Sequence, residues 1–147
     1  MTLQQRDGYS YGTTRDDLRW VISDFAEDNG YAADQCASST CACGQQVFLL
    51  ETNEAEGVAQ RTCCACGAIH LMGDSAEYAG DHVPLDSHVC ICEQGRFEIE
   101  SAVALYSESN DVRWLYIGCR CSDCSLVGVF ASWKCEGGDA DAFLANV

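Results

Sequence analysis

Residues 118–128 read GCRCSDCSLVG and bring Cys119, Cys121 and Cys124 close together in the chain. Three chemistries use cysteine at this density: a metal site, a redox dithiol and a disulfide framework. Two more stretches bear on the choice. Residues 41–50 read CACGQQVFLL, and residues 90–99 read CICEQGRFEI. Both match Cys-x-Cys-x-Gln-x-x-Phe-x-(Leu/Ile), which aligns Cys41, Cys43, Gln45 and Phe48 with Cys90, Cys92, Gln94 and Phe97. Downstream, CCACGAIHL (63–71) aligns with CSDCSLVGV (121–129), so Cys63 and Cys66 match Cys121 and Cys124. The unit is Cys-x-Cys, a spacer, then Cys-x-x-Cys. Its occurring twice points to a duplicated structural element.

The spacers have the pattern of hairpins. QVFLLET and VAQRT flank the polar NEAEG in the first copy, and RFEIESAVALYS and VRWLYIG flank ESND in the second. The flanks carry the β-branched and aromatic residues of strands. The second spacer is longer, which a longer hairpin absorbs at small entropic cost. Period-two counting sets Phe97, Ile99, Val103 and Leu105 on one strand face, and Val112, Trp114 and Tyr116 together on its partner. These side chains read as core.

Outside the repeats, TTRDDLRWVISDFAEDNG (13–30) predicts a helix, capped by Thr13 or Thr14 and ended by Asn29-Gly30. Leu18, Val21, Ile22 and Phe25 form its expected apolar stripe. The expected organisation is a disordered tail over 1–12, then the helix and a lead-in strand over 13–40. The first ribbon follows over 41–73, a linker with the only proline over 74–89, and the second ribbon over 90–134. A tail or short helix starting at Asp139 closes the chain within 135–147. The fold class is mainly β with an N-terminal helix, built on two duplicated hairpin units.

Four cysteines at this spacing suit a metal. Zinc takes a tetrahedron of ligands, and two knuckles at the ends of a hairpin supply two thiolates each. The first predicted site is Cys41, Cys43, Cys63 and Cys66, and the second is Cys90, Cys92, Cys121 and Cys124. Over roughly residues 41–133 the chain resembles the zinc-ribbon group, small β folds held by two such knuckles. That resemblance implies two Zn2+ ions, or iron as in the related rubredoxins, and implies no particular activity. The Cys-x-Cys first knuckle departs from the commoner Cys-x-x-Cys. Hairpins this short bury little by themselves, and a structural zinc contributes on the order of 10 kcal/mol of apparent binding free energy to folding.

Cys36, Cys64, Cys119 and Cys135 fall outside both sets and read as small buried hydrophobes. Cys64 replaces Cys63, and Cys119 replaces Cys121, if the register shifts. His70 and His88 are rival ligands, although each four-cysteine set is already complete; His82 is the third histidine.

Composition narrows the function. An apolar fraction of 48% belongs to a folded globule. The opening MTLQQRDGYSYG lacks the apolar segment of a secretory signal, and no run reaches the roughly 18 apolar residues of a membrane span. The expected compartment is the reducing cytoplasm, where dense cysteine signals metal. Formal net charge is −15, from 23 acidic and eight basic residues, with Lys134 the only lysine. Such a surface repels phosphate backbones and favours a basic protein surface as partner. Solubility alone, or an acid-rich proteome, also accounts for the charge.

Catalytic patterns are missing. Met72, Pro84 and Cys90 stand two places after His70, His82 and His88, so the deaminase H-x-E does not occur. H-E-x-x-H does not occur either. A His88–Cys90 nucleophile pair is better explained by Cys90 as a ligand. Both Cys-x-x-Cys pairs precede strand-like stretches, whereas a thioredoxin-type dithiol needs a helix start. A disulfide framework would need an oxidising compartment and would spread its cysteines. A nucleic-acid-binding ribbon would require Arg61, Arg96, Arg113 and Arg120 to gather on one face. The reading that follows is a non-catalytic, acidic, zinc-binding interaction protein of inhibitor or immunity type. An iron–thiolate redox protein and a nucleic-acid-binding ribbon are the alternatives.

Overall fold

The computed structural model describes residues 3–147. Met1 and Thr2, the start of the expected tail, lie outside the described residues. From residue 4 that segment is a hairpin, not a tail: β1 (Gln4–Arg6) pairs with β2 (Tyr9–Tyr11). Asp7 and Gly8 both have positive φ in its two-residue turn, the geometry such hairpins require. Next come α1 (Arg15–Asn29) and β3 (Gln35–Ser38), then the first ribbon, β4 (Phe48–Asn53), β5 (Val58–Cys63) and β6 (Ile69–Leu71). A 3-10 turn at Ser75–Glu77 and the short β7 (Asp86–Ser87) lead to the second ribbon. This comprises β8 (Phe97–Leu105), β9 (Val112–Cys121) and β10 (Leu126–Lys134), followed by α2 (Ala140–Leu144). All described pairings are antiparallel, in the order β1-β2-β10-β9-β8-β4-β5-β6, with β3 added on β8 and β7 on β4.

The duplication is visible in the register. Phe48 pairs with Cys63 and Phe97 with Cys121; Thr62 pairs with Ile69 and Arg120 with Val127. The two ribbons meet where the equivalent residues Phe48 and Phe97 pair with each other. Antiparallel pairing of equivalent residues gives the sheet a local two-fold relation. The lead-in strands follow it by crossing over. Ser38, ahead of the first knuckle, pairs with Glu100 of the second ribbon. Ser87, ahead of the second knuckle, pairs with Glu51 of the first. The same exchange recurs where Ser39 N–H donates to Ile99 O at 3.0 Å and His88 N–H to Leu50 O at 2.9 Å. Each ribbon is therefore completed by a strand from the other copy's approach segment.

Helix α1 begins with a capping box: the Thr14 hydroxyl accepts from the Asp17 amide, and the Asp17 carboxylate accepts from the Thr14 amide. It ends at Gly30 in the left-handed region. The buried stripe is Leu18, Ile22 and Ala26, packed on Ala102, Ala104, Tyr116 and Val127. Val21 is only half-buried, and Phe25 is exposed, touching Tyr116 edge-on. The buried stripe is rotated from the expected one, with Ala26 in the place of Phe25. Gly118 lets the helix close on β9, since a Cβ there would lie 2.4 Å from Ile22 Cδ1.

The larger core fills the opposite face and includes Phe48, Leu50, Phe97, Ile99, Val103, Leu115 and Ile117, closed by Phe143 and Val147. Val112 belongs to this core, whereas Trp114 and Tyr116 belong with α1. The expected shared face fails because the β8–β9 register shifts beside Ala104 and Leu105, leaving Arg113 without a partner position. A bulge of this kind inverts the alternation.

Candidate metal centres

Each knuckle is a turn built from the main chain. Cys41 N–H donates to Gln45 O at 2.9 Å and Gly44 N–H to Cys41 O at 2.8 Å. In the second copy Cys90 N–H donates to Gln94 O, and Glu93 N–H to Cys90 O, both at 2.8 Å. The Cys-x-x-Cys turns close through Gly67 N–H to Cys63 O and Ser125 N–H to Cys121 O, both at 3.0 Å. One residue in each turn is left-handed: Gly44 and Gly67 in the first copy, Glu93 and Ser125 in the second. Glycine meets that demand freely, and Glu93 and Ser125 meet it at a steric cost.

These turns aim eight sulfurs into two groups. Cys41, Cys43, Cys63 and Cys66 form one; Cys90, Cys92, Cys121 and Cys124 form the other, with all sulfurs of a group within 4.8 Å of one another. The shortest separations are 3.6 Å for Cys41–Cys66 and Cys43–Cys63, 3.5 Å for Cys90–Cys124 and 3.6 Å for Cys92–Cys121. Four sulfurs about 2.3 Å from a central ion stand roughly 3.8 Å apart in a tetrahedron, so both groups fit such an ion with little adjustment. All twelve cysteines are free thiols. In each group two sulfur residues are buried, and the first group's other two are more exposed than the second's.

Backbone amides favour the thiolate form. The Cys66 and Ala65 amides hold Cys63 down to about 6, against burial that pushes it up. The Gln94 amide lowers Cys92. The Gln45 amide also acts to lower Cys43, but neighbouring thiols, Cys41 first, and burial push it up overall, to about 12. Burial first, then Cys124 and the other thiols, push Cys90 up to about 12. Without an ion, four sulfurs this close cannot all carry charge, and a divalent cation removes that conflict.

The alternative ligands stay outside both groups. Cys64 is exposed at the position equivalent to Ser122; their amides donate to Val47 O and Arg96 O respectively. Cys119 is fully buried, its thiol pushed up by burial, at the register position that holds Arg61 in the first copy. His70 lies 2.8 Å from Asn146 O, and His88 2.7 Å from the Thr52 hydroxyl. Cys36 is exposed, and Cys135 is buried, its thiol pushed up to about 12 by burial and then by the charges of Asp74 and Glu136.

The four arginines do not form a basic face. Arg61 is buried over the Phe48 ring and donates to Val147 O at 2.8 Å. Arg96 pairs with Asp123, Arg120 with Glu98, and Arg113 lies over the Tyr31 ring. Arg15 and Arg19 converge on the fully buried Glu100. Most of the scarce positive charge is thus engaged internally, and the bulk of the carboxylates face solvent. Among the described residues no helix is long and apolar enough to cross a membrane.

No family model, curated protein or solved structure matches the chain. The functional reading therefore rests on the two sulfur groups and the charge distribution.

Proposed function

We propose that the chain is a non-catalytic, acidic interaction protein whose two ribbons are each closed by a structural Zn2+, and that it binds a basic surface on a partner protein. The observation that carries this is the pair of four-sulfur groups. Four thiolates are the full ligand set of a structural zinc, whereas catalytic zinc keeps a position open for water. With four thiolates each site carries a formal charge of −2, adding to the −15 of the chain. Free thiols in this number suit a reducing cytoplasm, and the partner reading is that of an inhibitor or immunity-type protein. Four thiolates also serve iron, and iron would colour the purified protein.

The test is affinity capture with the metal-loaded chain, followed by elution with rising salt. The expected result is a basic protein released between low and physiological ionic strength, as exposed charges become screened. Recovery of nucleic acid, or of no basic protein, refutes the partner reading. A metal other than zinc refutes the cofactor reading separately.

A further inference from the structure

The local two-fold relation gives every position of the second ribbon a counterpart in the first, but the two outer faces are finished differently. In the second ribbon, β10 pairs with β2, Arg120 Nε donates to Gly12 O at 2.7 Å, and α1 lies across the face. In the first ribbon, β6 is the last strand of the sheet among the described residues, and α1 makes its strand contacts with the second ribbon, on β8, β9 and β10.

The residues run against exposure. Under α1 and β2, the row Glu98, Arg120, Val127 holds an ion pair, Arg120 Nη1 to Glu98 Oε1 at 2.8 Å. The equivalent row, Leu49, Thr62, Ile69, lies open, with Leu49 45% and Ile69 66% exposed. The chain beyond β7 extends this row. The His88 amide bonds to Leu50 O, setting Val89, 62% exposed, beside Leu49. Large apolar side chains aligned in the open on a strongly acidic protein mark a contact surface.

The covered ribbon shows what kind of element fits. Glu100 takes Arg15 at 2.9 Å and Arg19 at 3.4 Å from α1. Its counterpart Glu51 lies on the same face as Leu49, yet among the described residues no basic side chain reaches it. Its side chain accepts only a 3.4 Å bond from Gln60. We propose that the Leu49–Thr62–Ile69 face, with Val89 and Glu51, docks an amphipathic helix of a partner protein, its apolar stripe on the row and a basic side chain on Glu51, as α1 lies on the second ribbon. This inference rests on the basic-partner reading and gives that partner a place and a shape.

The test uses the full metal-loaded chain and a synthetic leucine–lysine amphipathic helical peptide as probe, followed by amide NMR shifts and a binding titration. The expected shifts centre on Leu49, Thr62, Ile69 and Val89. The double variant Leu49→Glu/Ile69→Glu keeps its metal and fold and binds at least about tenfold more weakly, as for loss of interface anchors. Glu51→Gln weakens the lysine peptide but not a leucine–glutamine peptide of the same pattern. Shifts elsewhere, with undiminished affinity in the double variant, overturn this site and leave the basic-partner reading standing. No binding of the lysine peptide overturns the helix site, while the basic-partner reading stands or falls by the affinity capture. Self-association of the wild type that the double variant abolishes makes a second copy the occupant and overturns the helix proposal.

Discussion

Gly118→Ala tests how α1 is seated on the second ribbon. The added Cβ would lie 2.4 Å from Ile22 Cδ1, 2.6 Å from Ile22 Cγ1 and 3.1 Å from Leu18 Cδ1. Carbon atoms prefer about 3.5–4.0 Å, so the helix must lift or Ile22 must turn. Ile22 has little room, since Ala102, Ala104, Tyr116 and Val127 enclose the same cluster. Overpacking of this kind costs about 1–3 kcal/mol, and removing a strand glycine returns about 0.5–1 kcal/mol. The net expectation is about 1 kcal/mol of destabilisation within a span of roughly 0–2.5 kcal/mol, read by urea unfolding of the metal-loaded protein at fixed free metal. Ile22→Ala removes both of the closest atoms and by itself costs about 2–5 kcal/mol. In that background Gly118→Ala occupies part of the vacated space, so its effect should fall to zero or become stabilising. Gln60→Ala, at the equivalent position of the uncovered ribbon, should stay within about 0.5 kcal/mol of wild type. An equal cost for Gly118→Ala in both Ile22 backgrounds would refute the close-approach explanation.

Alkylation of the metal-loaded protein should modify Cys36 and Cys64, the exposed cysteines outside the sulfur groups, while buried Cys119 and Cys135 react only on unfolding. Early modification of Cys119, read by peptide mass mapping, would contradict its place in the core. Cys66→Ser should lower metal content at the first centre and also raise amide exchange across β8 and β9, because β3 and β7 tie each ribbon to the other. Exchange changes confined to β4–β6 would show that the ribbons are independent. The Cys135 thiol, pushed up to about 12 by burial, favours the folded state fully below its unfolded value near 9, and that contribution is lost as pH rises toward 12. Cys135→Ala should therefore flatten the alkaline fall in stability, and an unchanged alkaline limb would contradict the burial of this thiol.

The eight grouped cysteines were legible because the spacing within each knuckle sets the turn and the repetition sets the partners. The paired Phe48 and Phe97 stood out as repeat positions, yet nothing local in the sequence says that they pair with each other. The exchange of β3 and β7 was equally hidden: Asp86–Ser87 is two polar residues, and its pairing with β4 is a tertiary choice. The β1–β2 hairpin carried a signal in Asp7-Gly8, but QQR and YSY offered no apolar face to reveal strands. In the middle of β9 burial is continuous from Leu115 to Cys119, so alternation could not reveal the bulge that separates Val112 from Trp114. Gly44 and Gly67 announced left-handed turns; Glu93 and Ser125 occupy the same conformation with no glycine to mark it.

The most direct test of the central claim is metal analysis with X-ray absorption on protein purified without added metal. The account predicts two zinc ions per chain, each surrounded by four sulfurs at about 2.3 Å. Fewer than two ions per chain, or oxygen or nitrogen among the ligands, would contradict it.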